Sequence, residues 1–143
     1  MNRNVSKNYI ENLELETPLV NLKVLNVDDQ RNKMHFQLRD ELTPSIEVIH
    51  ARRCEINAIP AGFPSLQTID LSGNNIEDIE EFLKQSTQIQ AISLKDNPIT
   101  KKPRYRNQII SYSKSLQYID DRLVTELERV CIDHMDKVQK HTT

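Results

Sequence analysis

Glycine is almost missing from this chain: Gly62 and Gly73 are the two glycines in 143 residues. Neither stands in a Gly-rich phosphate loop, so nucleotide binding through such a loop is excluded. Tryptophan is absent, and aromatic residues make up 5% of the chain. Cysteine is scarce too. Cys54 and Cys131 show no close, even spacing of a disulfide framework, which points to a reducing compartment. No apolar run approaches the roughly 20 residues that a bilayer requires. Met1 to Tyr9 is polar, without the apolar stretch of a signal peptide. The expectation is a cytoplasmic protein with no membrane contact. A net charge of -2 gives no overall attraction to nucleic acid.

Catalytic constellations are also missing. His35, His50 and His141 are scattered, and no serine or cysteine nucleophile is spaced with an orienting carboxylate. Asp28-Asp29 and Asp120-Asp121 lack the spacing of a calcium loop and read as solvated strand ends. Cys131 and His134 lie three apart, but a tetrahedral site needs two further ligands that the sequence does not supply nearby. The expectation is a protein that is not an enzyme and holds neither metal nor cofactor.

What the chain does contain is a repeat. Leu66-x-x-Ile69-x-Leu71-x-x-Asn74-x-Ile76-x-x-Ile79 recurs as Ile89-x-x-Ile92-x-Leu94-x-x-Asn97-x-Ile99. Earlier copies run Leu22-x-x-Leu25-x-Val27-x-x-Gln30 and Ile46-x-x-Ile49-x-Ala51-x-x-Cys54-x-Ile56-x-x-Ile59. The copies begin at residues 22, 46, 66 and 89, which is a period of 20 to 24 residues. The apolar residues alternate as in a short strand, and the polar position after them marks a turn. An amide there can bond the peptide groups that a turning, buried chain leaves open. Gln30, Cys54, Asn74 and Asn97 are therefore expected to form a structural ladder.

Between repeats the chain must return. Ile79, Phe82 and Leu83 sit at helical spacing within residues 77–85, and residues 31–44 are expected to hold a short amphipathic helix ending before Pro44. Pro103 suits a first helical turn, where no amide hydrogen is required. From Thr125 the chain reads as a final helix with Thr125 and Glu128 spaced as a capping box. That helix puts Leu127, Cys131, Met135 and Val138 on one side.

These spacings resemble the leucine-rich repeat family, in the short-repeat type. The resemblance implies an α/β solenoid of about four repeats, with a parallel concave sheet and short helices or turns on the convex side. Residues 1–21 would be an N-terminal cap, 22–100 the repeats and 101–143 a C-terminal cap with a terminal helix, all in one domain. The Asn97-Pro98 turn, the Tyr105-Arg106 pair and Leu116-x-x-Ile119-Asp120 are similar to the C-terminal cap of a subset of these proteins. Cysteine at the ladder position is a tolerated substitute in the family, so Cys54 reads as structural. The run Leu116-Gln117-Tyr118-Ile119-Asp120-Asp121-Arg122-Leu123-Val124 is similar to the cap of repeat proteins of cilia and flagella, among them axonemal dynein assembly factors. A second likeness is to the spliceosomal A-prime protein, a nuclear repeat protein that holds an RNA-binding partner. Phosphatase regulators built from longer arrays are a third.

In such a fold the outward strand positions line up in rows. Asn26, His50, Asp70, Ser93 and Asp120 form one row, beside Val24, Val48, Thr68, Ala91 and Tyr118. Asp28, Arg52, Ser72 and Lys95 form another, with Arg53 next to Arg52. A face mixing charges of both signs with small residues suits a protein segment and suits RNA poorly. The implied function is a non-catalytic scaffold, as a monomer or as a subunit of a larger complex, in the cytoplasm, a cilium or flagellum, or alternatively the nucleus. The basic run Lys101, Lys102, Arg104 and Arg106 reads as the solvated side of the cap.

Overall fold

The computed structural model describes residues 2–4, 12–13, 23–29, 35–36, 45–57, 59 and 63–141. Gln30, much of 1–21 and most of 31–44 lie outside them. Along the chain come β1 Asn2–Asn4, β2 Asn12–Leu13, β3 Val24–Asn26, β4 His35–Phe36, β5 Val48–His50 and β6 Thr68–Asp70. Then follow α1 Glu80–Gln85, β7 Ala91–Ser93, a 3-10 turn Pro98–Lys101, α2 Tyr105–Tyr112, β8 Tyr118–Ile119, β9 Arg122–Leu123 and α3 Glu126–His141. The main sheet runs β1-β3-β5-β6-β7-β8-β9, parallel up to β8. It is the expected leucine-rich repeat solenoid. In the return of the first repeat, His35–Phe36 is a strand paired in parallel with Asn12–Leu13, and the rest of 31–44, where the short helix is expected, lies outside the described residues.

The strands β3, β5, β6 and β7 are three residues long, with the middle residue facing inward. Leu25, Ile49, Ile69, Ile92 and Ile119 stack in register at 0–1% exposure. Val27, Ala51, Leu71 and Leu94 bury the next inward position. One coil alone could not hide these side chains; stacked coils make one continuous core. Each coil then turns through a left-handed residue: Asp29, Arg53, Gly73 and Asp96, with φ between 56° and 74°. At Gly73 a side chain would also collide, since a Cβ would stand 2.9 Å from the Arg53 Cγ.

The ladder is formed where it is described. The Asn74 Oδ1 accepts from the backbone N–H groups of Cys54 and Ile56 at 2.9 and 3.1 Å. Its Nδ2 donates to the carbonyls of Ala51 and Leu71 at 2.9 and 2.7 Å. Asn97 repeats this one coil later, accepting from Ile76 N–H and donating to Leu71 and Leu94 carbonyls. Cys54 takes the same place with its thiol, donating to the Val27 carbonyl at 3.0 Å. On the convex side, Phe82 and Leu83 of α1 are buried and the Phe82 ring meets Phe63 edge to face.

The C-terminal elements are held by polar contacts that the spacing alone did not foretell. Pro98, not Pro103, opens a helical turn; Pro103 precedes Arg104, whose φ of 60° keeps it outside α2. Asp120 and Asp121 are the two left-handed residues of a tight turn joining β8 to β9; Asp121 is solvated as expected, whereas Asp120 is partly buried. Asp120 accepts from Leu94 N–H at 2.7 Å and from the Tyr105 hydroxyl at 2.9 Å. Arg129 donates to the carbonyls of Ile110 in the last turn of α2, of Ser113 just after it and of Leu116 in the loop that follows. The capping box is present: Glu128 N–H donates to the Thr125 Oγ1, and Thr125 N–H to the Glu128 Oε1.

Arg106 grips the Glu128 carboxylate at 2.8 and 3.1 Å. The Arg106 hydrogen bonds, joined by those from Thr125, pull the Glu128 pKa down from 4.5 to about 2. A carboxyl whose pKa is lower folded than unfolded contributes stability that is complete above the unfolded value and lost as pH falls through the folded one. The cap is therefore expected to lose this contribution between pH 4.5 and about 2. Glu128→Gln should lower the urea midpoint at neutral pH but match the parent chain near pH 2. A gap between the two that stays constant with pH would refute the pairing.

Candidate partner-binding face

The concave face is assembled by strand register. Val24, Val48, Thr68 and Ala91 are neighbours across β3, β5, β6 and β7, and the row continues through Tyr118 of β8 to Leu123 of β9. The first four are half-buried, while Tyr118 and Leu123 are 45% and 57% exposed. The result is a mostly apolar stripe that crosses the sheet and becomes more exposed toward the cap. Leu123 was missing from the sequence-derived row. Its signal was present, because Tyr118 and Leu123 flank an Asp-Asp pair as the facing residues of a hairpin do.

Asn26, His50, Asp70 and Ser93 form the parallel row beside the stripe, as expected. Asp120 does not extend it, because its carboxylate turns to Leu94 N–H and Tyr105. The order His50, Asp70, Ser93 is no hydrolytic triad. The carboxylate lies between the other two, so the imidazole is not next to the hydroxyl that it would have to deprotonate. Asp70 instead accepts from the Ser72 hydroxyl at 2.7 Å, and Ser72 meets Ser93 at 2.8 Å.

Every described cation of the exit row has a carboxylate against it. Arg52 clasps Asp28 through Nε and Nη2 at 3.1 and 2.9 Å, and its own N–H also donates to that carboxylate. Hydrogen bonding to Asp28 raises the Arg52 pKa, so it stays charged throughout the accessible range. Asp70 approaches Arg52 at 3.8 Å. Arg53 pairs with Asp29, and Lys95 with Asp121. Asp28 is 4% exposed, so it is no solvated strand end. The outer edge adds Lys23 and Glu47, 3.7 Å apart. Ladder and face meet here, because Arg53 and Cys54 are adjacent: the turn that buries Cys54 aims Arg53 outward.

The basic run does not form one patch. Arg106 is spent on Glu128, and the Lys102 Nζ donates to the Glu77 carbonyl at 2.6 Å, leaving Lys101 and Arg104 exposed. Cys131 and His134 are both exposed on α3. Among the described residues, no group of three or more His, Cys, Asp and Glu side chains could hold a metal ion. No helix among them is long and apolar enough to cross a membrane.

Comparison with known proteins agrees with this geometry. The family described as Leucine Rich Repeat matches residues 65–85. The leucine-rich repeat-containing protein ODA7 of Chlamydomonas reinhardtii is 40% identical over 68 residues, which is 46% of this chain and 16% of that protein. The dynein axonemal assembly factor 1 homolog of Drosophila erecta is 33% identical over 72 residues, 48% of this chain and 5% of its own length. The chain thus spans a small part of these relatives. A solved structure, the Drosophila melanogaster SNF/U2A' complex, superposes with a TM-score of 0.67 at 22% identity. The match covers 82% of this chain and 74% of that one, and it shows the fold.

Proposed function

We propose that this leucine-rich repeat protein is a non-catalytic scaffold that holds a segment of another protein on its concave face, without metal or cofactor. The observation that carries this reading is the stripe Val24-Val48-Thr68-Ala91-Tyr118-Leu123, bordered by charges that already have partners. An apolar centre within a polar, internally neutralised rim is the anatomy of a protein interface. Nucleic acid would call for cations left without carboxylates, and the rim offers none among the described residues. The setting we favour is an axonemal, dynein-related complex in a ciliated or flagellated cell, supported by the likeness to the assembly-factor homologues. The second reading is a nuclear RNA-protein particle in which this chain holds an RNA-binding protein. The fold match to the SNF/U2A' complex favours it.

Charge reversal at Arg52 is a poor test, because it would set a second carboxylate against the buried Asp28. Thr68→Arg/Ala91→Arg instead fills the half-buried centre of the stripe. This variant is expected to fold normally and lose its partner, while Lys101→Glu/Lys102→Glu on the cap retains it. Pull-downs from flagellated-cell extract, with bound proteins identified by mass spectrometry, check this. Dynein-assembly components support the first setting, and RNA-particle proteins the second. Loss of partners only in the cap variant would move the functional face.

A further inference from the structure

Arginine is the residue by which this chain ties its parts together. Arg52 and Arg53 hold Asp28 and Asp29, Arg106 holds Glu128, and Arg129 holds carbonyls around the end of α2. Arg104 differs from all four. It is exposed just before α2, and its guanidinium has no hydrogen bond or ion pair among the described residues.

That guanidinium stands at one end of a cleft of about 260 Å³ between α2 and α3. Arg104, Asn107, Gln108 and Tyr112 line one side, and steps of three and four residues put them on one face of the helix. From 104 to 112 this face runs about 12 Å, which is the length of about four residues of extended chain. The carboxamides of Asn107 and Gln108 and the Tyr112 hydroxyl also lack partners among the described residues. Ile132 and Met135, at 7% and 41% exposure, supply an apolar wall from α3.

Charge gives the cleft a direction. Arg104 makes its own end positive, and the first turn of α2 has no side-chain cap there, so its N–H groups favour an anion as well. The Tyr112 end has acidic neighbours instead. Burial, followed by Glu80 and Asp78, raises the Tyr112 pKa, so its hydroxyl stays a donor. Glu80 is paired with Lys84, which leaves Asp78 to disfavour an anion at that end. A simple aliphatic acid would satisfy Arg104 and the wall but leave two carboxamides and a hydroxyl covered without partners, at a cost. A peptide main chain removes that cost, because each carboxamide can donate to a C=O and accept from an N–H.

We propose that the α2–α3 cleft binds a short extended peptide of acidic and aliphatic residues, with a carboxylate on Arg104, main-chain groups on Asn107 and Gln108, and an aliphatic side chain against Ile132 and Met135. The cleft shares no residue with the concave stripe, so the two faces can be occupied independently.

The test probes two arrays of tetrapeptides with the full chain, both built from leucine, glutamate, lysine and serine, one amidated at the C-terminus and one with free C-termini. Binders are expected to contain leucine and a carboxylate. Amidated binders place that carboxylate on a glutamate side chain, and binders confined to the second array place it at the chain end. The strongest binder is then measured by fluorescence polarisation, with an expected Kd between about 10 μM and 1 mM. Arg104→Gly removes the guanidinium at a φ of 60° that glycine adopts without strain, and should weaken binding at least about tenfold. Asn107→Ala/Gln108→Ala should weaken it by about three- to tenfold, while Thr68→Arg/Ala91→Arg on the sheet leaves it unchanged. Circular dichroism should show all three variants folded as the parent. Arrays with no Kd below about 1 mM, binders that tolerate lysine for glutamate, or affinity indifferent to Arg104→Gly overturn the proposal. So does a single-stranded RNA tetramer that displaces the peptide and binds at least about tenfold tighter.

Discussion

Asn74→Ala is expected to destabilise the protein strongly, with a large fall in the urea midpoint. The side chain is 4% exposed, and its amide serves four peptide groups, Cys54 N–H, Ile56 N–H, Ala51 C=O and Leu71 C=O. Alanine leaves three of them buried and unpaired, at about 1–3 kcal/mol each before relaxation, while the Leu71 carbonyl keeps the Asn97 Nδ2. Even if water or small shifts recover half of that, the loss is about 1.5–4.5 kcal/mol, against a typical total of about 5–15 kcal/mol. Apolar contacts cannot offset it, since the removed atoms touch backbone polar groups rather than core carbons. A parent-like midpoint would show that the ladder does not hold the coils together. Cys54→Ser is a useful companion. Its hydroxyl can still donate to the Val27 carbonyl, so a much smaller loss is expected there.

Removal of residues 101–143 should convert a soluble chain into an aggregating one. The segment supplies Ile109, Ile110, Leu116, Ile119 and Ile132, each at most 7% exposed. It also supplies β8, which pairs with β7. Burial of five such side chains contributes about 1.5–3 kcal/mol apiece, together comparable to the usual net stability of a domain. The new end would present Ile92 and Leu94 beside an unpaired strand edge, a template for association between copies. Terminal units of a solenoid need a polar outer side for this reason. Light scattering and a thermal melt check the outcome. A soluble, monomeric truncation with a cooperative transition would mean that the repeats do not need the cap.

Two features of the site show why the sequence reading was incomplete. The rows across the sheet were legible because a fixed period places equal positions side by side: once Ile49, Ile69 and Ile92 were aligned, Val48, Thr68 and Ala91 had to be neighbours. Leu123 and Asp120 escaped that logic. Past residue 100 the period ends, and a two-residue left-handed turn sends the chain back, so Leu123 joins the stripe while Asp120 leaves its row for Tyr105. Asp28 misled for a different reason. An aspartate after a strand is usually solvated, and only the fit of Arg52 on the next coil, 24 residues later, makes its burial tolerable.

Taken alone, the amino-acid sequence determined the repeat, the coil register, the ladder at Cys54, Asn74 and Asn97, and the capping box at Thr125 and Glu128. These depend on spacing within a coil or between identical coils, where a local pattern has one satisfactory geometry. Tertiary structure alone decided which charges were already neutralised, that Arg106 grips Glu128 and Arg129 the carbonyls around the end of α2, and which side of α3 faces water. Amphipathic spacing says that a helix has an apolar side but not what meets it. On α3 the cap took Ile132 and the Arg129 contacts, because carbonyls at and beyond the end of α2 needed donors, and Leu127 and Val130 were left in solvent.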